Sequence, residues 1–328
     1  MAPLRSRRVS AMGPSRRARI RSLAKLNLSL LVLNKRADGY HDLRTVFQTI
    51  SLADTIDIEF TAGRGREVAL DSSLDIPDNL IVRAANLLMD AFPIRGRVRF
   101  RLRKNIPMGA GLAGGSSNAA AVLLALPVLA GVCADAAQLA ELAEQLGSDV
   151  PFFLYGGTAL GIGRGTELYP FPEHAECPAL VVAPGIHVST PEAYRALGRG
   201  LTDASRPGIL NSLRAFVWCS GGSAPAETWT CDNDFETVVF RQFPLLNAIK
   251  RKLLRAGAAS ASMTGSGSAV FGIFDSPAGR DRAAALFRRE RVFPVKLVSR
   301  RSYRGLWWRQ LGDHIGGREW PPQSRYSK

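Results

Sequence analysis

Apolar positions along the chain switch between two periods, and the switches mark its elements. Leu26 to Leu33 is alternating or apolar and ends in Asn34-Lys35-Arg36-Ala37-Asp38-Gly39, a polar segment with an Asp-Gly turn signal; apolar residues resume from Val46 to Leu52. This pattern predicts two neighbouring strands. Ile56-Asp57-Ile58-Glu59-Phe60 alternates as a third strand, and Val98-Arg99-Phe100-Arg101-Leu102-Arg103 alternates apolar with basic, the mark of a strand with one face in water. Asn79 to Phe92 has helical spacing, with Leu80, Ala84, Leu87 and Leu88 on one face. Asp135 is placed to cap a second helix that runs through Leu146 and stops at Gly147, and Ser148-Asp149-Val150-Pro151-Phe152-Phe153 begins a new element.

Proline accumulates in Tyr169-Pro170-Phe171-Pro172-Glu173, and Ala179-Leu180-Val181-Val182 starts a fresh strand, which sets a domain boundary near residue 172. Beyond it the pattern gives a helix, a polar stretch to Thr230, a helix through Leu253, and a glycine turn, Ser262-Met263-Thr264-Gly265-Ser266-Gly267-Ser268, feeding the strand Ala269-Val270-Phe271. There is no internal repeat. Strands and helices in mixed order, some strands wet on one face, argue for an α+β fold over a doubly wound sheet.

The stretch richest in chemistry is Pro107-Met108-Gly109-Ala110-Gly111-Leu112-Ala113-Gly114-Gly115-Ser116-Ser117-Asn118, which leads into the apolar run from Ala119 to Leu126. Its glycines allow positive φ and close approach of backbone to a ligand, and Ser116, Ser117 and Asn118 are placed to cap a helix whose free N–H groups favour an anion. It reads as a phosphate cradle. Gly109-x-Gly111-x-x-Gly114 matches the dinucleotide fingerprint, but the strand before it is wet-faced, and the acidic residue to be expected about 20 positions later, Asp135, opens a helix instead. A Walker loop fails as well, because Gly115 stands where its lysine should follow Gly114.

The 328 residues suggest about two domains, and 46% hydrophobic content supports ordinary cores. The longest nearly apolar stretch, Ala119 to Cys133, is broken by Pro127 and Gly131 and is shorter than a membrane span. Cys133, Cys177, Cys219 and Cys231 form no CxxC pair and have no histidine at ligand spacing, so a zinc site or disulfide framework is not expected, and a reducing cytoplasm fits. The net charge of +15 sits at the ends: residues 1–21 hold seven arginines and no acid, residues 288–328 hold eleven basic residues against three acids, and the body balances 25 against 25. A neutral body points to a small-molecule protein, with no specific nucleic-acid or membrane partner expected. The first 21 residues read as a disordered extension or a start placed ahead of Met12, with plastid targeting the lesser alternative. Trp307-Trp308-Arg309 and Trp320-Pro321-Pro322 read either as an aromatic-basic contact surface or as a segment folding back on the body.

Two residues carry open alternatives. Lys25, in an otherwise apolar strand, either snorkels at a sheet end or points into a site. Asp149, between Gly147 and Pro151, is by position an N-cap and, beside a bound hydroxyl, a general base. Tyr40-His41, after the Asp-Gly turn, either packs a loop or stacks on and hydrogen-bonds a ring.

Ala24-Lys25-Leu26-Asn27-Leu28, Arg36-Ala37-Asp38-Gly39-Tyr40-His41, Lys104-Asn105-Ile106-Pro107 through Asn118, Asp149-Val150-Pro151-Phe152-Phe153, Pro184-Gly185 with Ser189-Thr190, and Met263-Thr264-Gly265-Ser266-Gly267 together resemble the galactokinase, homoserine, mevalonate and phosphomevalonate (GHMP) kinase superfamily. Within it they are most similar to the members acting on a cytidine diphosphate conjugate of methylerythritol, over roughly residues 22–300. The resemblance implies a two-domain fold: an ATP-binding domain like ribosomal protein S5 domain 2 over 22–172 and a ferredoxin-like domain over 173–300, flanked by a basic extension (1–21) and a basic aromatic tail (301–328). It implies ATP with Mg²⁺, whose ligands stay unassigned, and phosphorylation of the substrate's 2-hydroxyl. By position, Asp149 is the base and Lys25 steadies its charge. Lys104 and Pro107 to Asn118 cradle the ATP phosphates. Asn27 holds the erythritol part, Tyr40 and Tyr194 sandwich the cytosine, His41 bonds its edge, Thr190 lines that pocket, and Thr264, Gly265, Ser266 and Gly267 close the site. Ala113 departs from the pattern, standing where glycine is common.

Overall fold

The computed structural model describes residues 15–74, 76–171, 173, 176–198 and 231–327. Its first body is organised by one long antiparallel hairpin, β1 (Ser15–Lys35) and β2 (His41–Ala62), turning where Arg36 N–H donates to the Tyr40 carbonyl at 2.7 Å. β2 runs unbroken through both expected strands, because Ala53-Asp54-Thr55 contains no breaker. Its first part, Leu43–Gln48, pairs with β5 (Thr158–Gly163), and Thr55–Ala62 pairs with β4 (Gly96–Arg103). β3 (Arg66–Ser72) adds in parallel to β4, and β6 (Glu167–Pro170) closes the other edge. The alternation read in β4 is real: Val98, Phe100 and Leu102 are buried while Arg99, Arg101 and Arg103 face water.

Four helices cover the buried face: α1 (Leu80–Ala91), α2 (Gly114–Ala130), α3 (Ala136–Leu146) and α4 (Val150–Tyr155). Asp135 caps α3 as expected and forms a capping box with Gln138, and Asn79 caps α1 through its side chain. α2 is apolar all round because it is enclosed all round, with Ala119 to Leu126 at 2% exposure or less.

The second sheet has the order β10-β7-β9-β8 and is antiparallel throughout, from β7 (Pro178–Ala183), β8 (Ser260–Met263), β9 (Val270–Ile273) and β10 (Arg291–Lys296). With α5 (Thr190–Leu197), α6 (Glu236–Gln242), α7 (Pro244–Arg255) and α8 (Pro277–Ala284), this is the ferredoxin-like arrangement. Alternate residues of β7 face opposite ways. Ala179 and Val181 pack with Leu26, Leu28 and Phe271 between the two sheets, while Leu180 and Val182 pack under the helices. The central part of β1, Ser22 to Leu28, is buried on both faces.

The N-terminal end departs from expectation, and the C-terminal end decides between two readings. Residues 15–21 are not a disordered extension but the first part of β1, where Arg17 pairs with Glu59 and Arg19 with Asp57 across the hairpin. The C-terminal segment forms α9 (Arg300–Gln310), which sends Tyr303, Trp307 and Leu311 into the first body's core. Of the two readings, folding back is the one observed. The boundary near residue 172 lies outside the described residues. No described helix is long and apolar enough to cross a membrane.

Candidate active site

Two breaks in the hairpin register, between Leu23 and Lys25 and between Asn27 and Ser29, re-aim the central residues of β1. Lys25 and Asn27, each only 3% exposed, project on the same side into a cleft between the two bodies. Lys25 therefore does not snorkel. Its Nζ donates to Asn27 Oδ1 at 2.5 Å and lies 3.6 Å from Asp149 Oδ2. Burial lowers the Lys25 pKa from its ordinary 10.5, and the Asp149 charge opposes that shift. Asn27 is fixed by two further partners: its Nδ2 donates to Thr45 Oγ1 at 2.8 Å, its backbone N–H donates to Thr264 Oγ1 at 3.0 Å, and Thr264 Oγ1 donates back to Asn27 Oδ1 at 3.3 Å.

The glycine-rich loop runs along one wall of the same cleft. Gly111, at φ 77°, lies so close to the second body that a Cβ there would stand 2.1 Å from the Thr264 carbonyl oxygen. A Cβ on Gly114 would stand 3.0 Å from Lys104 Nζ. α2 begins at this glycine, with Ala113 as N-cap in the left-handed region (φ 53°, ψ 35°) and no side-chain cap. The expected caps are used otherwise. Ser116 lies within the first turn, Ser117 Oγ donates to the Leu23 carbonyl at 2.6 Å, and Asn118 Nδ2 donates to Asp54 Oδ2 at 3.1 Å, so the leading N–H groups of α2 are left to a ligand.

Asp54 organises the loop from beneath. Fully buried, its carboxylate pairs with Lys104 Nζ and accepts from the Asn105 and Ile106 N–H groups at 2.7 and 2.8 Å as well as from Asn118. Lys104 thus lines the cleft with its charge already matched by a carboxylate. Asp149 stands at the head of α4 with helical dihedrals (φ −86°, ψ −12°), and its side chain makes no capping bond; the N-cap reading fails for that side chain, which faces Lys25 instead.

The cleft holds a cavity of about 700 Å³ lined by Lys25, Asn27, Lys104, the loop from Pro107 to Gly115, Asn118, Asp149, Thr190, Tyr194 and Gly265 to Gly267. It opens into a side pocket lined by Tyr40, His41, Arg164, Thr190 and Tyr194. Here the rings pair differently from a simple sandwich. His41 stacks on Tyr194 at 4.9 Å and 18°, Tyr194 meets Phe235 edge-on, and the Arg164 guanidinium sits 4.2 Å over the Tyr40 ring. Burial, then the nearby Asp149 charge, pushes the Tyr194 hydroxyl up to about 12; burial, then Lys35, lowers the His41 pKa from 6.5. Across the cleft Thr190 and Ser266 share a hydrogen bond of 2.7 Å, and Asn233 Nδ2 donates to the carbonyls of Met263 and Gly265 at 2.7 and 2.8 Å, fixing the closing turn.

The structure thus gathers Lys25 and Asn27, Tyr40 and His41, the loop from Pro107 to Gly115 with Asn118, Asp149, Ser189 and Thr190, and Gly265 to Gly267 around one cleft, leaves Pro184-Gly185 outside its lining, and adds Asp54, Asn233 and Arg164, which sequence reasoning missed. Asp54 had a signal: in Leu52-x-Asp54-x-Ile56-x-Ile58 it is the acid on the apolar face of an alternating strand. His187, unassigned from sequence, lies against the loop at Gly109.

The chain matches the model of the GHMP kinases N terminal domain over residues 79–157 and that of the GHMP kinases C terminal domain over 224–290. It is 52% identical to 4-diphosphocytidyl-2-C-methyl-D-erythritol kinase of Solibacter usitatus (strain Ellin6076) over 320 residues, covering 96% of this chain and 100% of that one. A crystal structure of 4-(cytidine 5'-diphospho)-2C-methyl-D-erythritol kinase superposes with a TM-score of 0.70 at 38% identity, over 85% of this chain and 98% of the other. Homoserine kinase from Cytophaga hutchinsonii superposes with a TM-score of 0.64 at 16% identity, over 86% and 95% of the two chains, a likeness of fold alone.

Proposed function

Since the chain belongs to the 4-diphosphocytidyl-2-C-methyl-D-erythritol kinases of the GHMP superfamily, we propose how the residues of its cleft divide the work of that reaction. The enzyme moves the γ-phosphate of ATP to the 2-hydroxyl of 4-diphosphocytidyl-2-C-methyl-D-erythritol, giving the 2-phosphate and ADP, a step of the non-mevalonate route to isopentenyl diphosphate. Phosphoryl transfer of this kind depends on positioning and charge neutralisation more than on covalent chemistry.

In this reading Asp149 takes the proton of the 2-hydroxyl, and Lys25 stabilises both that carboxylate and the charge on the group in flight. The observation that carries it is the 3.6 Å approach of Lys25 Nζ to Asp149 Oδ2, at the point where the glycine loop meets the Tyr194 pocket. The loop from Pro107 to Asn118 holds the nucleotide phosphates on backbone N–H groups, and Lys104 stands beside them. Asn27 holds the erythritol, Tyr40, His41, Thr190 and Tyr194 hold the cytidine, and the turn from Thr264 to Gly267 closes over the reacting groups. The two bodies divide that labour: the first, which begins by Ser15, carries the base and the phosphate loop, and the second carries Thr190, Tyr194 and the closing turn.

Mg²⁺ fits this cleft as a companion of the nucleotide. Among the described residues two carboxylates line the cavity, Asp78 and Asp149, and there is no cluster of three metal-binding side chains, which suits an ion bound mainly by phosphates and water. Asp149 is the protein oxygen beside Lys25 that such an ion would meet. When bound, Mg²⁺ offsets charge on the β- and γ-phosphate oxygens.

Asp149→Asn tests the assignment. Turnover of ATP with the cytidyl substrate should fall by about 10²–10⁴, with the thermal midpoint held near that of the parent. Retention of full turnover would remove Asp149 as the base.

A further inference from the structure

The C-terminal segment lies behind the cleft, against the far ends of the two helices whose near ends enter it. α4 has six residues, too few to be stable alone, and carries Asp149 at its head. Its last carbonyls have no partner within the helix, and two aromatic side chains of the tail supply them. Tyr303 Oη donates to the Phe153 carbonyl, and Trp320 Nε1 donates to the Leu154 carbonyl at 3.0 Å. The Tyr303 ring also lies against Gly156, where a Cβ would stand 2.3 Å from it. Tyr303 and Trp320 are neighbours, with ring centres 6.2 Å apart.

The same segment closes the end of α2, whose start is the glycine loop. Ser324 Oγ donates to the Val128 carbonyl at 2.7 Å, and Arg16 Nη1 donates to the Leu129 carbonyl at 2.7 Å with its guanidinium 3.7 Å from the centre of the Tyr326 ring. His314 bridges back to the start of β1, its Nε2 2.8 Å from the Arg17 carbonyl.

We propose that Tyr303 and Trp320 are positioning residues for phosphoryl transfer: they brace α4 from its C-terminal end and so hold Asp149 in line with Lys25. The segment is in this view part of the catalytic apparatus without touching substrate. A displacement of about 1 Å at a reacting group costs on the order of 10²-fold in rate, so loosening so short a helix that carries the base reaches turnover directly. Substrate affinity depends on the loop and the side pocket, which the brace does not line.

The inference rests on Asp149 as the base, and its test is arranged to separate the two. Tyr303→Phe, Trp320→Phe and the double variant are made in the full chain, with Asp149→Asn alongside. The kcat and both KM values are measured well below the thermal midpoint of each variant, with the folded fraction followed by circular dichroism. The expected result is a kcat lowered about 10- to 100-fold in the double variant, KM for ATP and for the cytidyl substrate held near the parent, and smaller losses of the same kind in each single. A fully folded double variant with parental kcat, beside an inactive Asp149→Asn, overturns the brace and leaves the base. Activity that falls only in step with the folded fraction also overturns it. An active Asp149→Asn removes the base and the premise together. Trp320 is half-buried and at the periphery, so Trp320→Phe alone decides the matter where Tyr303→Phe does not fold.

Discussion

The two ends of the cleft are built in opposite ways. At the reacting end Lys25, Asn27 and Asn118 are each 3% exposed and Asp54 is fully buried, and each is held by partners from at least two elements. At the other end Tyr40 is 58% exposed, His41 is half-buried, and Asp38 is shared between Arg36 and Arg164 on the surface. The first end is preorganised, as electrostatic stabilisation of a transferring phosphoryl group requires. The second is a set of rings and flexible arginines able to shift as a base enters. Changes at the first should therefore strike turnover, nucleotide handling and stability together, and changes at the second should strike one substrate's affinity alone.

The sharpest way to break that contrast is Asp54→Asn. The substitution keeps the shape, but it leaves the Lys104 ammonium buried without its carboxylate and sets one amide against another at Asn118. Breaking a buried pair in this way costs about 3–5 kcal/mol. The expected outcome is a lower denaturation midpoint and, in the protein that remains folded, a KM for ATP raised about tenfold or more, since each 1.4 kcal/mol is a factor of ten, with KM for the cytidyl substrate unmoved. Equal rises in both KM values would show that Asp54 supports the whole cleft and not the phosphate loop.

Lys25 gives the contrast a pH signature. Burial lowers its folded pKa below 10.5, so between the folded and unfolded values the unfolded chain binds more protons, and stability rises with pH across that window. Activity must do the reverse, because the neutral amine no longer supports Asp149. Above the folded value kcat should fall about tenfold per pH unit while the denaturation midpoint climbs. A kcat that keeps its value to pH 10.5 would show that the ammonium is not required.

Tyr40→Ala probes the loose end. Stacking on a base is worth about 1–3 kcal/mol, so KM for the cytidyl substrate should rise about tenfold or more, with kcat and KM for ATP unchanged and the melting temperature nearly so. A fall in kcat of the same size would mean that the side pocket also orients the hydroxyl.

The division into tight and loose ends also explains what could be read from sequence. The β1–β2 turn, the capped starts of α1 and α3 and the phosphate loop are local: each depends on a few adjacent residues whose conformational preferences are strong. Asp149 stood out because Gly147 and Pro151 frame it. The supports of the tight end are not local. Asn233 holds carbonyls some thirty positions away, and Tyr303 reaches Phe153 across half the chain, so neither leaves a pattern within a window of sequence. Asp54 is the intermediate case, visible as an acid on an apolar face but with partners only the fold supplies. Ser116, Ser117 and Asn118 are good caps by residue type but do not cap; α2 starts at Gly114 behind Ala113, and Ser117 and Asn118 bind β1 and Asp54 instead.

Ala113 offers the finest test, because there the phosphate loop carries backbone strain. A residue with a Cβ in the left-handed region costs about 1–2 kcal/mol relative to one without, and glycine in its place returns part of that gain through the greater freedom of the unfolded chain. Ala113→Gly should therefore stabilise the folded state by less than about 1 kcal/mol, and because the dihedrals stay where they are, the leading N–H groups of α2 keep their aim and KM for ATP stays put. Equilibrium denaturation and ATP kinetics on the same preparation decide it. A gain in stability with unchanged KM means that the cradle's geometry is set by its surroundings, by Asp54 below and Thr264 opposite, with the alanine merely tolerated. A folded variant with KM for ATP raised several-fold would mean that the methyl group itself restricts the loop, and that the tight end owes part of its order to a residue which strains it.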